Sequence, residues 1–172
     1  MILTWQKNTD IENSLIDFIQ SALTTSSLEL LDKDGIAHNI QIYAGRELNN
    51  EWNLPIIQIY FDSNPDYTRL EIGTNKRLKS WLIIIDIRTL LPGQETNLAN
   101  WIEDLINDGV PIYNYNPNSL NPDVPAKNSL GHGRVDFITS ALVPVFDNAD
   151  KFDQNRYRIG IKIWLNKGEL TC

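Results

Sequence analysis

The sequence is poor in sulfur, in imidazole and in positive charge. Its one cysteine is the terminal Cys172, so neither an intrachain disulfide nor a cysteine-based zinc site is available. His38 and His132 are the two histidines, too few for a His-dominated metal centre. No apolar run approaches the roughly 18 residues that a membrane span needs; the longest, Trp81 to Ile85, is five. The opening MILTWQKNTD lacks a basic stretch followed by a long apolar one. No secretory leader is therefore expected, and synthesis and assembly are expected in the cytoplasm. Against 22 Asp and Glu stand 15 Lys and Arg, giving a net charge of −7 and a pI near 4.7. That balance argues against a protein that grips phosphate backbones over a broad surface.

There is, however, ample material for one core. A chain of 172 residues fits a single domain. Its 42% hydrophobic and 22% charged residues are ordinary for a folded protein. Ile and Asn are each above about a tenth of the chain, a bias that AT-rich coding explains without reference to function. Two segments carry a helical period. Ile11, Leu15, Phe18, Ile19, Ala22 and Leu23 form an apolar stripe between Asp10, the expected N-cap, and a stop at Thr24 to Ser27. Leu98, Trp101, Ile102, Leu105 and Ile106 form a second stripe from Glu95 to Asp108, ended by Gly109 and Pro111. Each helix has one polar face and is expected to cover a sheet.

The remaining periodic segments read as strands. Leu28 to Leu31 and Ile36 to Ala44 flank the turn Asp32-Lys33-Asp34-Gly35. Pro55 to Asp62 follows, then Tyr67 to Gly73 and Leu78 to Leu90 around a turn at Thr74 to Arg77, and finally Arg134 to Phe146 with Arg156 to Leu165. Trp81 to Ile85 is apolar at every position, the mark of a central strand covered on both faces. In the last strand Tyr157, Ile159, Ile161, Ile163 and Leu165 alternate with Arg156, Arg158, Lys162 and Trp164. Val110 to Gly133 holds four prolines and five asparagines without a sustained period, and is expected as a long loop. The expected fold is α+β: an antiparallel or mixed sheet of about five to seven strands, two helices packed on it, and a long closing hairpin.

Few residues combine into chemistry. Asp32-Lys33-Asp34-Gly35 lacks the carboxylate spacing of a calcium loop and reads as a hairpin turn. Asp147, Asp150 and Asp153 recur every third residue, without the carboxylate-rich continuation that a hard cation would want. Gly131-His132-Gly133-Arg134 lacks the strand-to-helix setting that aims amides at a phosphate. No GxSxG elbow occurs, and nothing in the sequence asks for a cofactor. The enzyme alternative is a PD-(D/E)XK-like nuclease, with Asp86-Ile87-Arg88 on the central strand and Asp62 as the upstream acid. An arginine stands where that chemistry wants a lysine, and a guanidinium does not readily exchange a proton. Of the five tryptophans, Trp81 and Trp101 read as core, whereas Trp164 shares a polar strand face with Arg156, Arg158 and Lys162, a combination found at protein contacts. Lys76, Arg77 and Lys79 form the other dense basic group.

The order of a leading helix, a meander of long strands, a middle helix and a closing hairpin resembles the phage tail terminator family. The resemblance runs from about Asp10 to Leu165 through IENSLIDFIQSAL, PIIQIYF, LKSWLIIIDIRT, NLANWIEDLIND, RVDFITSALVPVF and RYRIGIKIWLN. It implies a structural protein of the virion and no enzyme: a hexameric ring that caps the tail tube and joins it to the head connector or neck protein. DNA would pass through such a ring without specific binding, no membrane would be involved, and an acidic protein suits that passage by repulsion. Glu95, Glu103, Asp104 and Asp108 of the second helix are the acids expected toward a lumen; the basic groups around Arg77 and Arg158 are expected at subunit or partner contacts. A ring adaptor of a contractile injection system is the neighbouring alternative.

Overall fold

The computed structural model describes residues 4–46, 53–62, 66–69, 77–115, 127–144 and 154–165, with backbone alone at 4–9, 66–69 and 77–78. In chain order these are α1 (Thr4–Ser26), β1 (Glu29–Leu31), β2 (Ala37–Asn39), β3 (Gln41–Ala44), β4 (Ile56–Phe61), β5 (Asp66–Arg69), β6 (Arg77–Arg88), α2 (Gln94–Ile106), β7 (Val110–Tyr115), β8 (Lys127–Leu142) and β9 (Arg156–Leu165). β1 and β2 form a small hairpin; the main sheet runs β3-β4-β6-β9-β8-β7, with β5 also paired to β6. β3 and β4 are parallel and the other pairs antiparallel. The fold is the expected α+β mixed sheet with two helices. It curves into a half-barrel around α1, which packs against β7 at one border and β3 at the other.

Alternation decides which face is covered. Ile57 and Ile59 of β4, Trp81, Ile83, Ile85 and Ile87 of β6, and Ile159, Ile161 and Ile163 of β9 are buried in one cluster. Register stacks them, with Ile83 opposite Ile161 and Ile85 opposite both Ile59 and Ile159. Ile11, Leu15, Ile19 and Leu23 of α1 and Leu98, Ala99, Ile102 and Ile106 of α2 close that cluster. Each such side chain contributes about 1.5–3 kcal/mol by leaving water. As expected, β6 is central, and α2 stops at Gly109, whose φ of 98° and close approach to the Gly133 carbonyl leave no room for a Cβ.

Three local expectations are overturned. Asp10 is no N-cap: α1 begins at Thr4, and the buried Asp10 carboxylate accepts the Tyr115 amide of β7 at 3.1 Å. One turn on, Ser14 Oγ accepts the Tyr113 amide at 2.9 Å and donates to the Asp10 carbonyl. Thus two polar residues of α1 satisfy the outward amides of a border strand, which would otherwise solicit another chain. The helix ends at Ser26, within the expected stop at Thr24 to Ser27, where the Thr24, Thr25 and Ser26 hydroxyls bond carbonyls four residues back. The expected loop at Val110 to Gly133 is instead a ladder at both ends, since β7 pairs with the first half of β8 around a bulge; 116–126 lies outside the described residues. Pro111 fits there because a border strand can spare a donor. Finally, the segment Ile36 to Ala44 splits at the buried Ile40, pairing first with β1 and then with β4.

Candidate functional site

The face of the sheet away from the helices carries most of the residues with chemical potential. Its centre is Asp86, on β6 directly opposite Gln58 of β4 and Arg158 of β9. Asp86 is 1% exposed yet charged, because guanidinium groups surround it. Arg158 Nε donates to Oδ1 at 2.8 Å, Arg156 Nη2 to Oδ2 at 2.7 Å, and the Tyr60 hydroxyl to Oδ2 at 3.0 Å. Arg88 Nη2 lies 3.6 Å from Oδ2, while its Nη1 donates to Gln58 Oε1 at 2.9 Å. Gln58 in turn donates to the Gly45 carbonyl at 2.6 Å, tying the network to the turn after β3. Burial pushes the Asp86 carboxyl up, but Arg158 and Arg156 more than reverse this and hold it below 3.8. Burial and the neighbouring carboxylate raise the Tyr60 hydroxyl above its ordinary value.

A second group lies toward the other end of the same face. Lys162 Nζ sits 4.5 Å from the Trp164 ring centre, the Trp164 indole donates to Asp136 on β8, and Arg134 meets Asp136 at 3.1 Å. The alternation expected for Arg156, Arg158, Lys162 and Trp164 therefore holds, and all four share this face. Two of them, however, are engaged in neutralising one buried acid. Lys79 belongs to the opposite parity of β6 and stacks on Trp81 at 4.6 Å, on the helix-covered side. It is not brought together with Lys162. Lys76 and the Arg77 side chain lie outside the described residues, as do Asp147, Asp150 and Asp153.

The acids of α2 divide. Asp104 and Asp108 are exposed, and Glu103 accepts the Ser140 hydroxyl of β8. Glu95 departs from expectation: it is buried, accepting the Gly93 amide at 3.0 Å and the Thr89 hydroxyl at 3.2 Å. It fastens the helix start and faces no lumen. The Asp32 turn is a turn, with Oδ1 accepting the amides of Asp34 and Ile36 and Oδ2 at 2.9 Å from His38 Nε2. Gly131 and Gly133 lie within β8, away from any helix start.

The geometry speaks against a two-carboxylate metal centre on β6. The Asp62 amide bonds the Leu82 carbonyl, which places it four residues along the strand from Asp86, about 13 Å away at the usual rise. Asp86 is also already saturated by cations that a metal ion would have to displace. Among the described residues no group of three His, Cys, Asp or Glu converges. A depression of about 640 Å³ beside β2 and β3 is lined by His38, Asn39, Gln41 and Asn53 with Ala37, Leu54 and Leu90, a set without paired carboxylates. No helix of the described residues is long and apolar enough to cross a membrane. No protein-family model matches the chain, and a search of the curated proteins finds no match.

Sequence reasoning named Asp86, Arg88, Arg156 and Arg158 but did not connect them. It missed Gln58 and Tyr60 entirely. Parity was the available signal, since all six occupy even positions of alternating strands. Register, the missing piece, is set by contacts between residues as far apart as Tyr60 and Arg158.

Proposed function

We propose that the protein is a structural assembly component of a tailed phage or prophage, a ring-forming tail terminator that caps the tail tube and joins it to the head connector. The observation that carries this reading is the order and pairing of its elements. A leading helix packs under a strand meander, a second helix follows the central strand β6, and the long strands β8 and β9 close the chain as an antiparallel pair. That is the order in which the resembled family is built. Support also comes from the far face, where buried charges are spent on one another, as befits a rigid building block. Asp104 and Asp108 are the exposed acids that would face a DNA path, and Lys162 with Trp164 is the candidate surface for protein contact. Ring subunits need surfaces left open to a neighbour, and among the described residues β8 from Arg134 to Leu142 pairs with β9 alone.

The test is association with tail tubes. Purified protein mixed with polymerised tubes should appear in electron micrographs as a ring at one end and should halt further growth. Absence of binding, under conditions in which an authentic cap binds, overturns the assignment. Binding only to tubes of a contractile injection apparatus would move it to an adaptor ring.

A further inference from the structure

The five large apolar side chains that stand exposed among the described residues fall on two margins. Leu31 and Ile36, the latter 58% accessible, belong to the β1–β2 hairpin that runs directly into β3, one border of the sheet. Phe137, Ile138 and Leu142 lie on β8, Ile138 being 57% accessible. They sit beyond the point where β7 stops covering that strand. The β7 ladder ends at Val110 opposite Gly133, whereas β8 continues to Leu142 with β9 on one side alone. Among the described residues no strand flanks the other edge of β8 from Arg134 onward. The same holds for the outer edge of β3: the amides of Gln41 and Gly45 donate to β4, so those of Ile42 and Ala44 turn outward.

Open edges are normally blunted by charge or proline. The β8 stretch from Phe137 to Leu142, FITSAL, has neither, and its bulge is the one edge-breaking device it carries. Such a segment is a ready template for another strand. Each margin also bears an exposed Arg–Asp pair, Arg46 with Asp62 at 3.4 Å and Arg134 with Asp136 at 3.1 Å. Those pairs can exchange partners across a junction.

We infer that the two margins are the halves of one self-association surface: the β8 edge of one copy receives the β3 edge of the next. The sheet then continues from subunit to subunit, with Phe137, Ile138 and Leu142 covering Leu31 and Ile36 of the neighbour. The partner is a second copy because a single chain supplies both matching margins, each with an open edge, exposed apolar side chains and an Arg–Asp pair. Because they lie at opposite borders, the contact is head-to-tail, the type that closes into rings. The inference rests on the ring-forming reading above and supplies the surface that builds the ring.

Thiol cross-linking tests it. In a Cys172→Ser background, Ile36→Cys and Ile138→Cys are mixed and treated with a short bifunctional thiol reagent; both positions are exposed, so the fold is retained. The mixture should cross-link while each variant alone does not, and a chain carrying both substitutions should give a ladder ending at one closed size. Ile138→Lys, which sets a charge in the junction, should weaken association at least about tenfold. Links between two Ile138→Cys copies would overturn the pairing in favour of a two-fold contact through β8. Oligomers seen by light scattering that the mixture fails to cross-link would overturn this surface and leave the ring standing. A chain that stays monomeric and unlinked, alone and on tube ends, overturns both.

Discussion

The two faces of the central sheet solve the problem of burial in opposite ways on the same strands. Toward the helices, β4, β6 and β9 present isoleucines at almost every odd position, and stability there is non-directional and proportional to area. Toward the far side they present Gln58, Asp86, Arg88, Arg156 and Arg158, whose stability depends on every partner being in place. The first face tolerates a change of shape at a graded cost. The second tolerates little, because a buried charge without its counter-charge is far worse than no charge at all. The ionic face thereby selects which strand lies beside which, a task for which interchangeable isoleucines are poorly suited.

Breaking each face in turn gives the largest expected effects. Asp86→Ala leaves Arg156 and Arg158 facing one another without their acid and should cost about 3–5 kcal/mol in denaturant unfolding. Ile85→Ala, on the adjacent position of the same strand but the other face, should cost about 2–5 kcal/mol through the cavity it leaves. The two differ in kind. Ile85→Val should recover most of the loss, whereas Asp86→Asn, nearly isosteric, should recover little, because the missing quantity is charge. Equal recovery by both conservative variants would erase the distinction between the faces.

Acid should reach part of the Asp86 effect without mutation. Its carboxyl is held below 3.8 in the folded protein, so as the pH falls under that value the unfolded chain binds a proton that the native state refuses. The stabilisation is fully present above the unfolded value and is lost as the pH drops through the folded one. Asp32, held low by His38 and by the Ile36 amide, adds to the loss in the same direction. Glu12 acts oppositely: burial raises it above 4.5, so its ionisation costs stability as the pH rises through the folded value. Thermal melts below pH 4 should therefore show a steep decline in the natural chain and a shallower one in Asp86→Asn. Parallel declines would mean that the far face contributes nothing to the acid limb.

A smaller effect is expected where α1 fastens the border of the half-barrel. Ser14→Ala removes the acceptor of the Tyr113 amide in a buried setting and should cost about 1–3 kcal/mol. Hydrogen exchange should quicken at Tyr113 while amides in β6 stay protected, since the damage is confined to β7. Faster exchange throughout the sheet would place α1 in the core's cooperative unit instead of at its rim.

The difference between the faces also marks what could be read in advance. Trp81 to Ile87 and Tyr157 to Leu165 announce their alternation locally, and Gly109 announces the end of α2, so the helix-covered face was legible from spacing alone. The ionic face was not. Asp86 meets Arg158 across 72 positions of chain, and no local pattern selects that register over one shifted by two, which would keep every side chain on its face. Asp10 and Glu95 fail for a related reason. Each has a standard local role, cap or polar-face acid, that was displaced by a backbone amide arriving from β7 in one case and from the Gly93 turn in the other. The loop assigned at Val110 to Gly133 concealed a ladder because its prolines and asparagines masked the buried pair Val110 and Ile112.

The smallest effect separates the two ends of the far face. Lys162 over Trp164 is a half-buried cation–π contact, worth about 0.5–1 kcal/mol, and Lys162→Ala should cost far less stability than Asp86→Ala. Lys162 stands directly opposite Asp136, whose carboxylate accepts from Arg134 and from the Trp164 indole. If the Asp86 cluster is architecture and the Trp164 cluster is contact surface, Lys162→Ala and Trp164→Ala should leave the melting temperature nearly unchanged while weakening binding to tube ends. A loss of folding stability from Lys162→Ala comparable to that from Asp86→Ala would make the whole face a single structural network. In that event the far face would hold the sheet together at both ends, and the contacts of the ring would have to be carried by the margins of β3 and β8 alone.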